Sequence, residues 1–134
     1  MSRENVEIAL GAIEAWNHGD RDGWLAPTDA ETEWSSAVLR AVEGTDTVFV
    51  GRAELKRFWD EWHALWDLQL EATEVRDLGE TVVLLTAMRT KGSTSGAEVV
   101  RSTGFVFDFN GLVVRRVRAY LSPEEALEAV GLRE

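Results

Sequence analysis

At 134 residues the chain has room for one domain with its own core. Apolar residues are 45% and charged residues 28%, a globular balance that excludes a disordered chain, and no apolar run approaches the roughly 20 residues of a membrane span. The net charge of −10 makes a nucleic-acid phosphate backbone a poor partner, and the absence of cysteine excludes disulfides and thiolate catalysis. Residues 1–34 carry much of that charge, with eight acids against two arginines. Met-Ser-Arg-Glu-Asn at the start has no apolar block ending in a small-residue cleavage site, so a cytoplasmic protein is expected.

Residues 4–17 read as a helix with Val6, Ala9, Leu10, Ile13 and Trp16 inward, stopped by Asn17-His18-Gly19-Asp20. Asp20 is placed to cap a short second helix through Trp24-Leu25, ended near Pro27. Residues 31–36 form a short strand, and Thr47–Val50 a second extended stretch after a mixed loop. A third helix is expected from Ala53 to Trp66, its apolar stripe running Leu55, Phe58, Trp59, Trp62, Trp66 at i, i+3, i+4, i+7, i+11.

The apolar period then changes from 3.6 to 2. Gln69–Asp77, Thr81–Thr90, Glu98–Phe109 and Leu112–Leu121 read as four strands, joined by turn chemistry at Leu78-Gly79-Glu80, Lys91–Gly96 and Asn110-Gly111. Links this short make neighbours antiparallel. Ser122-Pro123-Glu124-Glu125 opens a last short helix, with Ser122 as cap and Pro123 at the first position. Helices segregated from an antiparallel sheet define an α+β domain spanning 1–134.

The side chains on the two layers differ in size. Bulky residues fill the third helix's stripe, while Val100, Ser102, Gly104 and Val106 alternate along one strand and Val117, Ala119 and Leu121 along the next. Large on the helix and small on a curved sheet leaves room for a pocket, with Trp16, Trp34, Trp59, Trp62, Val106, Val117 and Ala119 as the expected wall. Which face of the last hairpin looks inward depends on its turn. A two-residue turn puts Arg101, Thr103, Phe105 and Phe107 on the face of Arg116, Arg118 and Tyr120; a three-residue turn swaps one strand. Burying arginines against tryptophans without acids is costly, so the small set is expected inside. The aromatic-and-arginine face (Phe105, Phe107, Arg116, Arg118, Tyr120) then points outward and suits a homodimer contact.

Ala15-Trp16-Asn17-His18-Gly19-Asp20-Arg21-Asp22, Glu33-Trp34, Gly51-Arg52, and Arg118-Ala119-Tyr120-Leu121 followed by Glu124-Glu125-Ala126-Leu127 together resemble the SnoaL-like proteins of the nuclear transport factor 2-like superfamily. The resemblance runs from about Asn5 to Leu132. It implies an α+β cone, a strongly bent antiparallel sheet wrapped around the N-terminal helices with a pocket at the open end, and homodimers through the outer sheet face. Relatives include ketosteroid isomerases, polyketide cyclases and limonene epoxide hydrolases. The isomerase tyrosine falls on Ala12, its base on Trp34 or Ser35, and its acid on Gly104, Phe105 or Val106. The hydrolase Arg-Asp-Tyr context reads Arg118-Ala119-Tyr120, and its second acid, expected near Arg89 and Lys91, is missing. Neither constellation is in place.

Among the remaining polar groups, His63 borders the tryptophan stripe and is the candidate acid or base. Glu33 adjoins Trp34 and is a second candidate, although alternation puts the two on opposite faces. Asp108 shares the parity of the expected inner face but sits beside a turn, where solvent is its expected neighbour. Two distant histidines without cysteine give no metal-ligand spacing, and no cofactor is expected. Three readings follow: a domain binding a small hydrophobic molecule without conventional acid–base chemistry; an isomerase, cyclase or hydrolase using His63; and a non-catalytic dimerisation module.

Overall fold

The computed structural model describes residues 2–37, 40, 41, 44, 47–92 and 97–132. In chain order these form α1 (Ser2–His18), α2 (Arg21–Leu25), β1 (Glu33–Ser36), β2 (Val48–Val50), α3 (Gly51–Leu65), β3 (Trp66–Asp77), β4 (Thr81–Gly92), β5 (Glu98–Asn110), β6 (Val113–Tyr120) and α4 (Pro123–Ala129). Among the described residues the strands make one six-stranded sheet in the order β2-β1-β6-β5-β4-β3. Neighbours from β3 to β6 are antiparallel, as their short links require. Between β1 and β6 the pairing is parallel, with Trp34 opposite Val117. These two strands lie far apart in sequence, so no hairpin dictates their direction.

The expected caps form. Asp20 accepts from the Gly23 N–H at 3.0 Å and Ser122 from the Glu125 N–H at 3.1 Å. The third helix, however, starts two residues early. Gly51 has φ +85, a left-handed conformation that L side chains rarely adopt, and a Cβ there would come within 3.0 Å of the Ala30 carbonyl. That geometry turns the chain from β2 directly into α3, and the Val50 N–H reaches Glu54 Oε1 at 2.7 Å. At the other end Trp66 leaves the helix. Its N–H bonds the Trp62 carbonyl, but its φ −135 and ψ 141 are extended and it pairs with Gly92 as the first residue of β3.

α1 is fastened to the outermost strand by side chains that its exit sequence supplies. Trp16 Nε1 donates to the Leu68 carbonyl at 3.1 Å. Asn17 donates to the Leu70 carbonyl at 2.7 Å and accepts from the Leu70 N–H at 2.9 Å, pairing like a strand residue along an otherwise open edge. The main core lies between the helices and one face of the sheet, joining Trp16, Trp24, Phe58, Trp59 and Trp62 to Leu84, Phe105, Phe107 and Val117. A smaller core on the opposite face sets Val83, Leu85 and Val106 beneath Ala126 and Leu127 of α4.

The last hairpin corrects the expected inner face. Its turn has two residues, Gly111 and Leu112, between Asn110 and Val113. Phe109 opposes Val114, yet Asp108 opposes Arg116, so Arg115 is an extra residue bulged from β6. Beyond it Phe107 opposes Val117 and Phe105 opposes Ala119. Val117 and Ala119 therefore face inward as expected, but their partners are Phe105 and Phe107, not Gly104 and Val106. One unpaired residue does what a three-residue turn would have done. Phe105 and Phe107 thus form core and are unavailable to an outer subunit contact, while Arg116, Arg118 and Tyr120 do lie on the outer face.

On that outer face Asp108 is only 8% exposed, against the expected solvent neighbour. It accepts from Arg116 Nε at 3.1 Å, Arg118 at 3.3 Å and the Thr81 hydroxyl at 2.9 Å. Gly104 also faces outward, and a Cβ on it would lie 2.5 Å from the Cβ of Ala126. α4 rests on the bare backbone there. We expect Gly104→Ala to lower stability by about 1–3 kcal/mol through overpacking. Urea denaturation measures it, and a loss under roughly 0.5 kcal/mol would contradict the seat described for α4.

Candidate functional site

Aromatic side chains from α1, α2, β1, α3 and β5 converge inside the domain. Trp16 meets Trp59 edge-on at 5.0 Å, Trp24 meets Trp59 at 5.1 Å and Trp34 at 5.2 Å, and Trp34 meets Phe58 at 5.5 Å. These are the offset and edge contacts that ring quadrupoles favour. Beside the cluster is a cavity of about 40 Å³, walled by Trp16, Trp24, Phe58 and Trp62 of the helices and by Trp34, Leu68, Leu70, Met88, Phe105 and Ala119 of the sheet. Ala12, Ile13 and Ser36 complete its described lining.

Of the expected wall, Trp16, Trp34, Trp62 and Ala119 line this space. Trp59 instead packs between α1 and α3 against Trp16, Trp24 and His63. Val117 borders a separate void of about 10 Å³ with Trp24, Trp34 and Leu55. Val106 is on the opposite face of the sheet, beneath α4, for the reason of register given above. Trp24, Phe105 and Met88 were not anticipated. Trp24 sits in a helix too short to show a face, and Phe105 depends on the bulge.

The two candidate titratable groups lie elsewhere. Glu33 is exposed on the outer face, opposite Arg116, while Trp34 beside it points inward, as strand alternation demands. His63 is half-buried between α1 and α3, its ring stacked on Trp59 at 3.9 Å and against Trp16 at 4.3 Å. Its Nδ1 lies 3.0 Å from the Trp59 carbonyl and its Nε2 3.2 Å from the Trp16 carbonyl. Each ring nitrogen thus lies within hydrogen-bonding distance of a backbone carbonyl, a neutral imidazole donating to one of the two, and the side chain sits as a clasp between two helices. No described lining residue of the cavity carries a titratable side chain. Among the described residues no group of His, Asp or Glu is placed to hold a metal ion, and no helix is long and apolar enough to cross a membrane.

A six-stranded mixed sheet holding helices over an aromatic cavity is an α+β fold of the nuclear transport factor 2-like class. The SnoaL-like domain model matches residues 10–118, and the chain belongs to that family. No curated protein matches it in sequence. In structure it is similar to a nuclear transport factor 2-like protein of unknown function from Burkholderia pseudomallei, at 18% identity and TM-score 0.80, covering 96% of this chain and 98% of that one. A provisionally named polyketide cyclase from Xanthomonas campestris pv. campestris aligns at 20% identity and TM-score 0.75, over 96% and 98% of the two chains. A hypothetical protein with a ketosteroid isomerase-like fold from Catenulispora acidiphila, in complex with trimethylamine, aligns at 13% identity and TM-score 0.76, over 94% and 93%.

The clasp reading of His63 separates stability from ligand binding. His63→Ala removes a hydrogen bond to a backbone carbonyl and a stacked ring, so the free energy of unfolding should fall by about 1–3 kcal/mol. Affinity of small apolar probes for the cavity should stay within about twofold, or roughly 0.4 kcal/mol. Denaturant titration and probe binding on the same variant measure the two. Unchanged stability with lost binding would place His63 in the site.

Proposed function

We propose that this SnoaL-like domain binds a small, predominantly apolar molecule in the cavity between its aromatic cluster and the inner sheet face. The observation that carries this reading is the wall itself: aromatic and aliphatic groups from helices and strands surround unfilled space, with Ser36 as the one hydroxyl among the described lining residues. The fold neighbours named for polyketide cyclisation, or holding a ligand as small as trimethylamine, agree with a small-molecule site.

Size restricts the occupant. A water needs about 10–15 Å³ of such space, so 40 Å³ holds about three or four water-sized groups. Pockets for drug-sized ligands have roughly 300–1,000 Å³. A larger guest must displace part of the wall, and Met88, unbranched and flexible, is the lining side chain best able to yield. Acid–base catalysis finds little support in the described wall, which carries no titratable side chain and includes neither His63 nor Glu33.

Titration with toluene and with cyclopentanone, followed through the indole ¹⁵N–¹H signals, tests the proposal. The signals of Trp16, Trp34 and Trp62 should move together while that of Trp66 stays. Met88→Ala should tighten toluene binding by about tenfold, or roughly 1.4 kcal/mol, while destabilising the apo fold by about 2–5 kcal/mol. If neither probe perturbs the cavity indoles in the wild type or in M88A, the proposal fails.

A further inference from the structure

We infer that the open half of β5, Glu98–Ser102, is a docking edge for an extended segment of another protein, which adds a strand to the sheet and brings a carboxylate opposite Arg101. β4 accompanies β5 all the way to Glu98, opposite Lys91, but β6 stops at Tyr120, opposite Gly104. Among the described residues Glu98–Thr103 therefore have a strand on one side only. Half of the backbone N–H and C=O groups of such a stretch point away from its one neighbour. Glu98, Val99, Val100, Arg101 and Ser102 are all exposed. Val99 and Val100, at 59% and 57%, are the two most exposed large apolar side chains among the described residues.

The sheet's outer edges are protected against strand addition. On β3, Asn17 pairs with both backbone groups of Leu70 and Trp16 takes the carbonyl of Leu68. Farther along, β3 carries the exposed carboxylates of Glu71, Glu74 and Asp77. β2, at the far edge, is only three residues long. The step on β5 has neither a capping side chain nor a short span, and its two valines serve one face of the sheet each. Arg101 opposes Met88 of the cavity wall and so lies with Val99 on the inner face, while Glu98, Val100 and Ser102 lie on the outer one. Glu98 is paired with Arg89 at 3.5 Å; Arg101 has no acidic partner among the described residues.

That alternation decides the occupant. When two copies join antiparallel through the same edge, inner face continues into inner face. Arg101 would then oppose Ala97, Val99, Arg101 or Thr103 of the second copy and never its Glu98. A second copy offers no carboxylate at that place, and each copy carries a net charge of −10. A segment of a different protein is free of the constraint. One with an acid opposite Arg101 and apolar residues opposite Val99 and Val100 meets the charge and the valines together. Main-chain hydrogen bonds supply its affinity and the alternate side chains its specificity.

The test adds two blocked heptapeptides, Lys-Thr-Glu-Val-Val-Lys-Thr and its glutamine twin, to the whole chain. In ¹⁵N–¹H spectra the backbone signals of Val99–Ser102 should move, and every second amide of that stretch should become slow to exchange with D₂O. The cavity indoles should stay still, which separates this edge from the cavity. At low salt the glutamate peptide should bind about threefold more tightly than the glutamine one, and Arg101→Gln, an exposed substitution, should erase the difference. Methylating alternate backbone nitrogens of the peptide should abolish binding in one alternation and spare it in the other. Equal affinities for the wild type, a difference that persists in Arg101→Gln, or unmoved Val99–Ser102 signals at millimolar peptide would each overturn the inference. So would a dimer in sedimentation that Val100→Lys dissolves, since a second copy would then occupy the edge.

Discussion

A single unpaired residue, Arg115, sets the character of both faces of the sheet. Because β6 carries one residue more than β5 across the bulge, every side chain beyond it changes its cross-strand neighbour. Phe105, Phe107 and Phe109 turn toward the helices and meet Val114, Val117 and Ala119. Asp108 turns the other way and collects Arg116, Arg118 and Thr81. Without the extra residue the arginines would share a face with the phenylalanines, and one set would be misplaced. The same parity exposes Gly104 to α4, which closes on it more tightly than any side chain would permit. Core, outer ion pairs and helix seat therefore follow from one local irregularity.

The inner face then meets a helical layer that is itself rigid. Trp16, Trp24, Trp59 and His63 interlock at ring separations of 3.9–5.7 Å, so α1, α2 and α3 behave as one body over the sheet. Trp16 and Asn17 carry that body to the exposed edge of β3 through backbone hydrogen bonds. Indoles suit this task because each buries a large area with few rotatable bonds. The same bulk is why the cavity is small: the residues that hold the helices in place occupy most of the space that a curved sheet would otherwise leave.

The order of elements was legible because the apolar period changes where the architecture does, from 3.6 along α1 and α3 to 2 along β3–β6. Caps at Asp20 and Ser122 were legible as well, since each is a short-range chemical signal. Trp66 was not. It continues the helical stripe without a glycine or proline to mark the break, and pairing with Gly92, far along the chain, decides its conformation. The hairpin's inner face was open to two registers: the cost of burying arginine holds for β6, whose arginines do face outward, but the bulge at Arg115 shifts the register without a longer turn and so brings Phe105 and Phe107 inward. His63 shows a different limit. Its position on the stripe's border was visible, but the carbonyls of Trp16 and Trp59 that engage it are backbone groups, and backbone leaves no trace in side-chain patterns.

Family membership fixes the fold and leaves the chemistry open, since this architecture serves proteins of differing activity. Proton transfer at a carbon acid needs a base and a stabiliser for the developing oxyanion within reach of one bound atom. The described cavity wall offers neither a carboxylate nor an imidazole, and the histidine nearest to it holds two helices together. What the described wall does offer is shape and dispersion contacts. Those are the means of recognition rather than of bond breaking, because burying apolar surface supplies affinity and moves no proton.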